Sequence, residues 1–520
     1  MLVATSLAAF TATLDNTVVA VALRDVQADL GAGVAELQGV VTAYTVALAA
    51  LLLTGGTLAD VAGRRRVLLA GLAVFAAASA ACALATSAEA LIAARAVQGA
   101  GAALVLPGGL AVLAAAYPEP GPRARAVGVW AAVSASALVA GPLVGGLLVA
   151  ASGWPAVFWV NLPLCALVAA VVALTPDVPP AAVPGPLSTR RRRLDLPGQA
   201  LAAVGLAAGT YAVVLAGRDG LGAPVLLASV LAVGALTAFV VVERRAADPV
   251  LPLQLLRQRA FVGATVGAFA ASLAVFVLLV FLALFLQLVE GRDALPTAVR
   301  LLPLTVALVL VAPLAGRWAA HRGPRPPVVL GLVLSALGLA LAAVRLQQRM
   351  PEVELALLLG VCGTGIGLST APVVTASLDA VARTRSGLAA ASVNVARELG
   401  GVVAVAGLGA LVVARLGSDL SARLLDLGVP GARSAVLVDA LLRGASSTEV
   451  VRLADGQVPL AALLALRGAA EASYVTSVRV ALGGAAVVLL VAAVLCARLL
   501  RPADPQPVGL QAGVDQLDDA

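Results

Sequence analysis

The sequence predicts an all-α polytopic membrane protein with fourteen transmembrane helices in a 6 + 2 + 6 arrangement and both termini in the cytoplasm. Three observations carry that expectation. Of 520 residues, 61% are hydrophobic and 12% are charged, about half the charge of a soluble domain. Apolar runs bounded by charge, Gly or Pro recur fourteen times. Arg supplies all 35 basic residues and is spread unevenly between the loops. This composition excludes a soluble enzyme, a disordered chain and a disulfide-stapled secreted domain.

The runs lie at approximately 4–23, 37–59, 67–87, 89–114, 124–149, 155–175, 197–216, 222–242, 260–289, 296–319, 326–346, 353–376, 386–414 and 477–499. Backbone polar groups must be satisfied internally in lipid, which leaves helices or a closed barrel. Barrel strands alternate over about ten residues; these runs are longer and uniformly apolar. Met1 leads straight into a run that holds Asp15, which reads as a first spanning helix and not as a cleavable signal.

An even number of spans puts both termini on one side, and Arg chooses the side. Loops on the side of the termini carry twenty Arg, and the short loops opposite carry six; the rest lie inside spans or in and beside the segment 415–475. Positive loops stay in the cytoplasm. The expected units are a first six-helix bundle over 1–175, a Pro-rich basic cytoplasmic loop over 176–196, two inserted helices over 197–242, a second bundle over 260–499 that includes an external segment 415–475, and a cytoplasmic tail over 500–520. Amphipathic pieces are expected at Leu420–Leu427 and Val436–Leu442.

The net charge of +7 is explained by membrane-flanking Arg, including the run Arg190–Arg193, and no nucleic-acid partner is expected. Cys82, Cys165, Cys362 and Cys496 lie singly in apolar runs, and His321 is the one His. Neither metal spacing nor a nucleophile–base arrangement exists, so no metal site, no catalytic residue and no cofactor is expected.

Two local patterns recur at one offset. Gly56-Thr57-Leu58-Ala59-Asp60-Val61-Ala62-Gly63-Arg64-Arg65 follows the second run, and Gly316-Arg317-Trp318-Ala319-Ala320-His321-Arg322-Gly323 follows the tenth, 260 residues later. Arg123-x-Arg125 and Arg383-x-Arg385 repeat the same offset. Duplicated halves around a central site are the plan of secondary transporters. Gly56 suits close helix approach, Gly63 a tight turn, and Asp60 either a helix cap or an Arg partner. Ala320 stands where Asp60 stands in the first copy, so one latch alone is complete.

The loop Gly56–Arg65 resembles the loop signature of the major facilitator superfamily. Leu14-Asp15-Asn16-Thr17, Leu91-x3-Arg95-x2-Gln98-Gly99-x-Gly101, Gly128-x8-Ala137-x3-Gly141-Pro142-x2-Gly145-Gly146, Trp154-x3-Phe158-x2-Asn161-x-Pro163, Arg193-Leu194-Asp195-x2-Gly198 and Gly363-x-Gly365-x-Gly367 are similar to motifs of its fourteen-helix drug:proton antiporters. The sequence departs from that pattern at Arg24, Gly39, Ala137 and Glu398. The resemblance implies a major facilitator fold in the bacterial plasma membrane and efflux of a drug or other small molecule in exchange for protons. Proton motive force would supply the energy, and a monomer is expected. An importer or uniporter on the same fold, or a non-transporting membrane sensor, stays open.

Charges inside the membrane cost roughly 2.5–3.5 kcal/mol on insertion scales and need a reason. Asp15 lies about 12 Å and Arg95 about 9 Å from the outer ends of their runs, so the two can meet, with Gln98 on the face of Arg95. Arg95 beside it favours the ionised carboxylate, and separation favours a proton. Asp15, Arg95 and Glu398 are therefore the candidates for proton coupling; the plain alternative for Asp15 is a fixed structural ion pair. The helix 5 motif, Gly128, Gly141, Pro142, Gly145 and Gly146, implies a bent helix with a smooth packing face. Asn16, Tyr44, Gln98, Asn394 and Arg397 are the candidates for the substrate cavity, lined by helices 1, 2, 4, 5, 9, 10 and 13. The 3% aromatic content argues against a cation–π pocket.

Overall fold

A computed structural model describes residues 1–175, 195–219, 222–246, 248–292, 294–426 and 460–500. Their regular structure is helical throughout. In chain order the long helices are α1 (Leu2–Leu30), α2 (Val34–Ala62), α3 (Arg64–Ala83), α4 (Ala88–Ala116) and α5 (Pro120–Ser152). Then come α6 (Ala156–Leu174), α7 (Leu196–Asp219), α8 (Ala223–Glu243), α9 (Arg259–Leu288) and α10 (Ala294–Arg322). The last are α11 (Arg325–Arg345), α12 (Glu352–Asp379), α13 (Ser386–Ala422) and α14 (Leu460–Leu499). Among the described residues thirteen helices are long and apolar enough to cross a membrane, and α5, bent by 43° between Leu138 and Ala140, makes up to fourteen.

Local chemistry explains several boundaries. Gly63, at φ 102°, lets α3 begin directly after α2 ends, in a conformation that L side chains rarely adopt. Ser87 caps α4 by accepting from the Ala90 N–H at 3.2 Å. The bend in α5 falls at the carbonyl of Leu138, four residues before Pro142, where a proline ring clashes with the preceding turn and offers no donor. A π-helical turn occupies Val403–Gly407 of α13, starting 261 residues after Pro142, so both helices depart from regular geometry at a matching register.

Helices α1 to α6 pack among themselves, as do α9 to α14. The two groups meet through α2 against α13 and α5 against α10, two contacts related by the 260-residue offset. Gly56 of α2 packs on the backbone of Gly387, and Gly316 of α10 packs on Ala124 and Gly128 of α5. These contacts lie at the Met1 end of the bundle. At the opposite end α1 and α9 share at most marginal contact. The hairpin α7–α8 lies beside this junction, with α7 against both α2 and α13.

Two boundaries differ from the expected runs. Helix α1 runs on to Leu30, so Asp15 sits near its middle and not close to its end. Helical structure continues to Asp426 and resumes at Leu460, and so enters both ends of the segment 415–475. The run Arg190–Arg193, the piece Val436–Leu442 and the residues after 500 lie outside the described residues.

Candidate functional site

A cavity lies between the two groups of helices. Asn16 of α1, Tyr44 of α2 and Asn394 and Arg397 of α13, all cavity candidates, line it, together with Glu398, a proton-coupling candidate. So do Thr13, Trp130 and Ser134, and Ile366, Thr370, Val373 and Val374 of α12, a helix not expected there. The aromatic argument is corrected. Aromatic residues are few, but Tyr44, Trp130 and Phe276 all face this one space. Arg397 and Glu398 are each other's electrostatic partners, and their side chains make no hydrogen bond among the described residues. One cation and one anion are thus presented to the cavity from α13, with hydroxyls and amides from both sides of it.

Behind Tyr44 lies a second, closed constellation. The Asp15 Oδ2 accepts from Arg95 Nη1 at 2.5 Å. Its Oδ1 accepts from Gln98 Nε2 at 2.8 Å and from Asn161 Nδ2 at 2.6 Å. Arg95 also donates to Gln98 Oε1 at 2.6 Å and, through Nε, to the Val40 carbonyl at 3.2 Å. Ser79 accepts from Gln98 at 2.6 Å and from Asn161 at 3.3 Å. Arg95 Nη2 and Asn161 Oδ1 have no hydrogen-bond partner among the described residues. Neither side chain of the Asp15–Arg95 pair is exposed. Taking two charges out of water costs several kcal/mol per ion and is offset only by geometry of this quality. Gln98 therefore belongs to this cluster and not to the cavity lining, because two strong partners hold its amide there. Asn161 and Ser79 were not singled out from the sequence. The signal for Asn161 was present in Trp154-x3-Phe158-x2-Asn161; nothing in the sequence marked Ser79.

The loop motif works across the junction. Asp60 Oδ1 accepts from the Gly387 N–H at 2.9 Å and Oδ2 from the Leu388 N–H at 3.0 Å, so Asp60 caps the first turn of α13 from the other half. Of its two possible roles, capping is realised there. Arg64 lies within electrostatic range of Asp60, and Arg65 Nη2 donates to the Ala173 carbonyl at the end of α6 at 2.8 Å. A second crosslink was missed: Arg123 at the start of α5 pairs with Asp379 at the end of α12. Arg123 comes from the repeated Arg123-x-Arg125 pattern, so this crosslink adds to the Asp60 latch and does not involve the second copy of the Gly56–Arg65 loop.

The helix 5 motif divides its labour. A Cβ on Gly128 would lie 2.9 Å from Pro313 Cα and 3.0 Å from the Ala312 carbonyl oxygen, both backbone atoms of α10. Gly141 seats Thr17, and a Cβ on Gly145 would lie 3.2 Å from the Val18 carbonyl oxygen, so these two hold α1. Gly146 faces nothing within 4 Å, which removes it from the packing face on which it was expected.

Comparison with known proteins agrees with this geometry. The profile of the Major Facilitator Superfamily matches residues 5–405. The chain is 34% identical over 425 residues to the multidrug resistance protein Stp of Mycobacterium tuberculosis, covering 81% of this chain and 77% of that one. It is 32% identical over 511 residues to the tetracenomycin C resistance and export protein of Streptomyces glaucescens, covering 95% and 89%. The fold resembles that of the human organic anion transporter MFSD10, with a TM-score of 0.60 at 13% identity over 95% of this chain and 98% of that one. The chain belongs to the major facilitator superfamily.

Proposed function

We propose that this member of the major facilitator superfamily is a proton-coupled exporter of drugs or other small molecules, working by alternating access in a bacterial plasma membrane with both termini in the cytoplasm. The observation that carries the reading is the cavity lined by residues of both helix groups, which join through α2 with α13 and α5 with α10. With the Arg-rich loops in the cytoplasm, the Asp60 and Arg123 crosslinks lie at the inner end, and this conformation is closed there. The names of relatives such as the tetracenomycin C resistance and export protein support the outward direction.

In the proposed cycle Asp15 takes up and releases the coupled proton, Arg95 is its counter-charge, and Glu398 is a second acid on the cavity wall. Asp60 and Arg123 hold the inner end shut and must let go for the substrate to enter from the cytoplasm. One proton falling through about 100 mV and one pH unit releases about 3.7 kcal/mol, sufficient for roughly a 500-fold substrate gradient at one-to-one coupling. The protein needs no cofactor in this reading, is not an enzyme, and functions as a monomer whose partners are substrate, protons and lipid.

The test uses proteoliposomes with an internal pH-sensitive dye and an imposed proton gradient, challenged with puromycin, tetracenomycin C and a panel of cationic and neutral drugs. Substrate-dependent proton movement that Asp15→Asn removes supports the reading. Drug movement that a protonophore leaves unaffected refutes proton coupling.

A further inference from the structure

Tyr44 belongs to two environments at once. Its side chain lines the cavity, and its ring covers Arg95, whose guanidinium carbon lies 4.3 Å from the ring centroid. Its hydroxyl donates to the Ala12 carbonyl at 3.2 Å, which pins the ring to α1 three residues before Asp15. Gly99 makes the placement possible: with no side chain it lets α4 pack directly on the Tyr44 carbonyl, and the ring then reaches over Arg95 one turn away. Asp15 and Arg95 line no part of the cavity and are 1% and 0% exposed.

The charged and titratable groups around this ring lie on opposite sides. Tyr44 is within electrostatic range of Asp15 and Arg95 on one side and of Glu398 of α13 on the other. Cys82 of α3 and Cys165 of α6 are within electrostatic range of Asp15. Tyr44 is therefore the side chain common to the buried cluster and the cavity wall.

We propose that Tyr44 is the partition between the cavity and the Asp15–Arg95 pair: with its ring on the guanidinium, cavity water delivers no proton to Asp15, and a substrate seated in the cavity bears on that same ring. Displacement of the ring opens the way for hydronium. Protonation then forms one O–H bond on the Asp15 carboxylate, leaves water, and takes the counter-charge from Arg95. Tyr44 is a positioning residue in this scheme. The consequence for coupling rests on the antiport reading; the partition itself rests on geometry alone, and its first test needs no transport.

That test treats the purified full chain with a water-soluble carbodiimide and an amine, and follows modification of Asp15 and Glu398 by peptide mass spectrometry. Glu398 is the internal reference for the open cavity. Asp15 is expected to react at least tenfold faster in Tyr44→Ala than in wild type, with Tyr44→Phe within about twofold of wild type. If Tyr44→Ala does not fold, Tyr44→Leu, which lacks the flat face, takes its place. Equal reactivity of Asp15 in wild type and the truncated variant overturns the partition, as does Tyr44→Phe behaving like Tyr44→Ala. In substrate-free proteoliposomes, Tyr44→Ala is expected to leak protons several-fold faster, with the excess removed by Asp15→Asn; an unchanged leak overturns the link to the proton path. Wild type that moves no protons with any substrate, yet keeps the labelling contrast, refutes antiport and leaves the partition supported.

Discussion

Asp60, on the second helix, accepts a hydrogen bond at 2.9 Å from the backbone N–H of Gly387, 327 residues away on the thirteenth. The carboxylate thus caps a helix that belongs to the other half of the molecule. Such a bond exists only while that end is closed. A cap of this kind is worth about 1 kcal/mol, and the junction is worth less without it.

Asp60→Ala is expected to lower the population closed at the Met1 end about fivefold, as 1 kcal/mol dictates. Asp60→Asn keeps one acceptor oxygen and is expected to fall between the alanine variant and wild type. Spin-label distances between the ends of α2 and α13 read the shift directly. Identical distance distributions in all three proteins would show that the cap has no part in the conformational equilibrium.

The Asp15–Arg95 pair allows a separation of structural from coupling roles. Asp15→Ala leaves an uncompensated buried guanidinium and is expected to cost about 3–5 kcal/mol of stability. Asp15→Asn combined with Arg95→Gln replaces both charges and is expected to recover most of that loss in thermal unfolding. Proton-coupled transport is expected to stay absent in the double variant. Its return together with stability would reduce the pair to a structural element.

At Gly128 the obstacle is backbone. A Cβ there meets Pro313 Cα at 2.9 Å and the Ala312 oxygen at 3.0 Å, and neither can rotate away. Gly128→Ala is expected to slow transport and Gly128→Leu to abolish it, with helical content by circular dichroism unchanged. Gly146→Ala, with nothing within 4 Å, is expected to behave as wild type in the same transport assay. Full activity of Gly128→Leu would remove the α5–α10 contact from the cycle.

Arg397 and Glu398 carry the two charges on the cavity wall and are adjacent in sequence, so their side chains leave α13 about 100° apart. Glu398→Gln is expected to weaken export of cationic compounds by tenfold or more and to spare neutral ones. Arg397→Gln is expected to weaken anionic ones. Transport of a charge-matched compound series measures both. Loss of all compounds alike in both variants would remove charge selection; for Glu398 that outcome is the one its role as a second acid in the cycle gives.

Much of the fold could be read from composition. Apolar runs of about twenty residues separated by Arg, Gly and Pro are a one-dimensional signal, because lipid demands a helix wherever a chain crosses it. The 260-residue offset was equally visible, and it reappears as the paired contacts α2–α13 and α5–α10. Asp15, Arg95, Asp60 and Gly128 stood out for the same reason: a charge in an apolar run, or a Gly in a spanning helix, is conspicuous in one dimension.

The sequence by itself therefore determined that this chain is a bundle of membrane helices in the pattern of the major facilitator superfamily, and which charges need partners. Tertiary structure alone decided who those partners are. It turned Gln98 away from the cavity towards Asp15, brought Asn161 from 146 residues away to the same carboxylate, and joined Arg123 to Asp379 across the junction. It also gathered Tyr44, Trp130 and Phe276 from three helices onto one cavity wall. Periodicity along a helix tells which side chains share a face. Which neighbour that face meets depends on helix packing between residues hundreds of positions apart, and an apolar face that suits lipid and protein equally leaves no mark of the choice in the sequence.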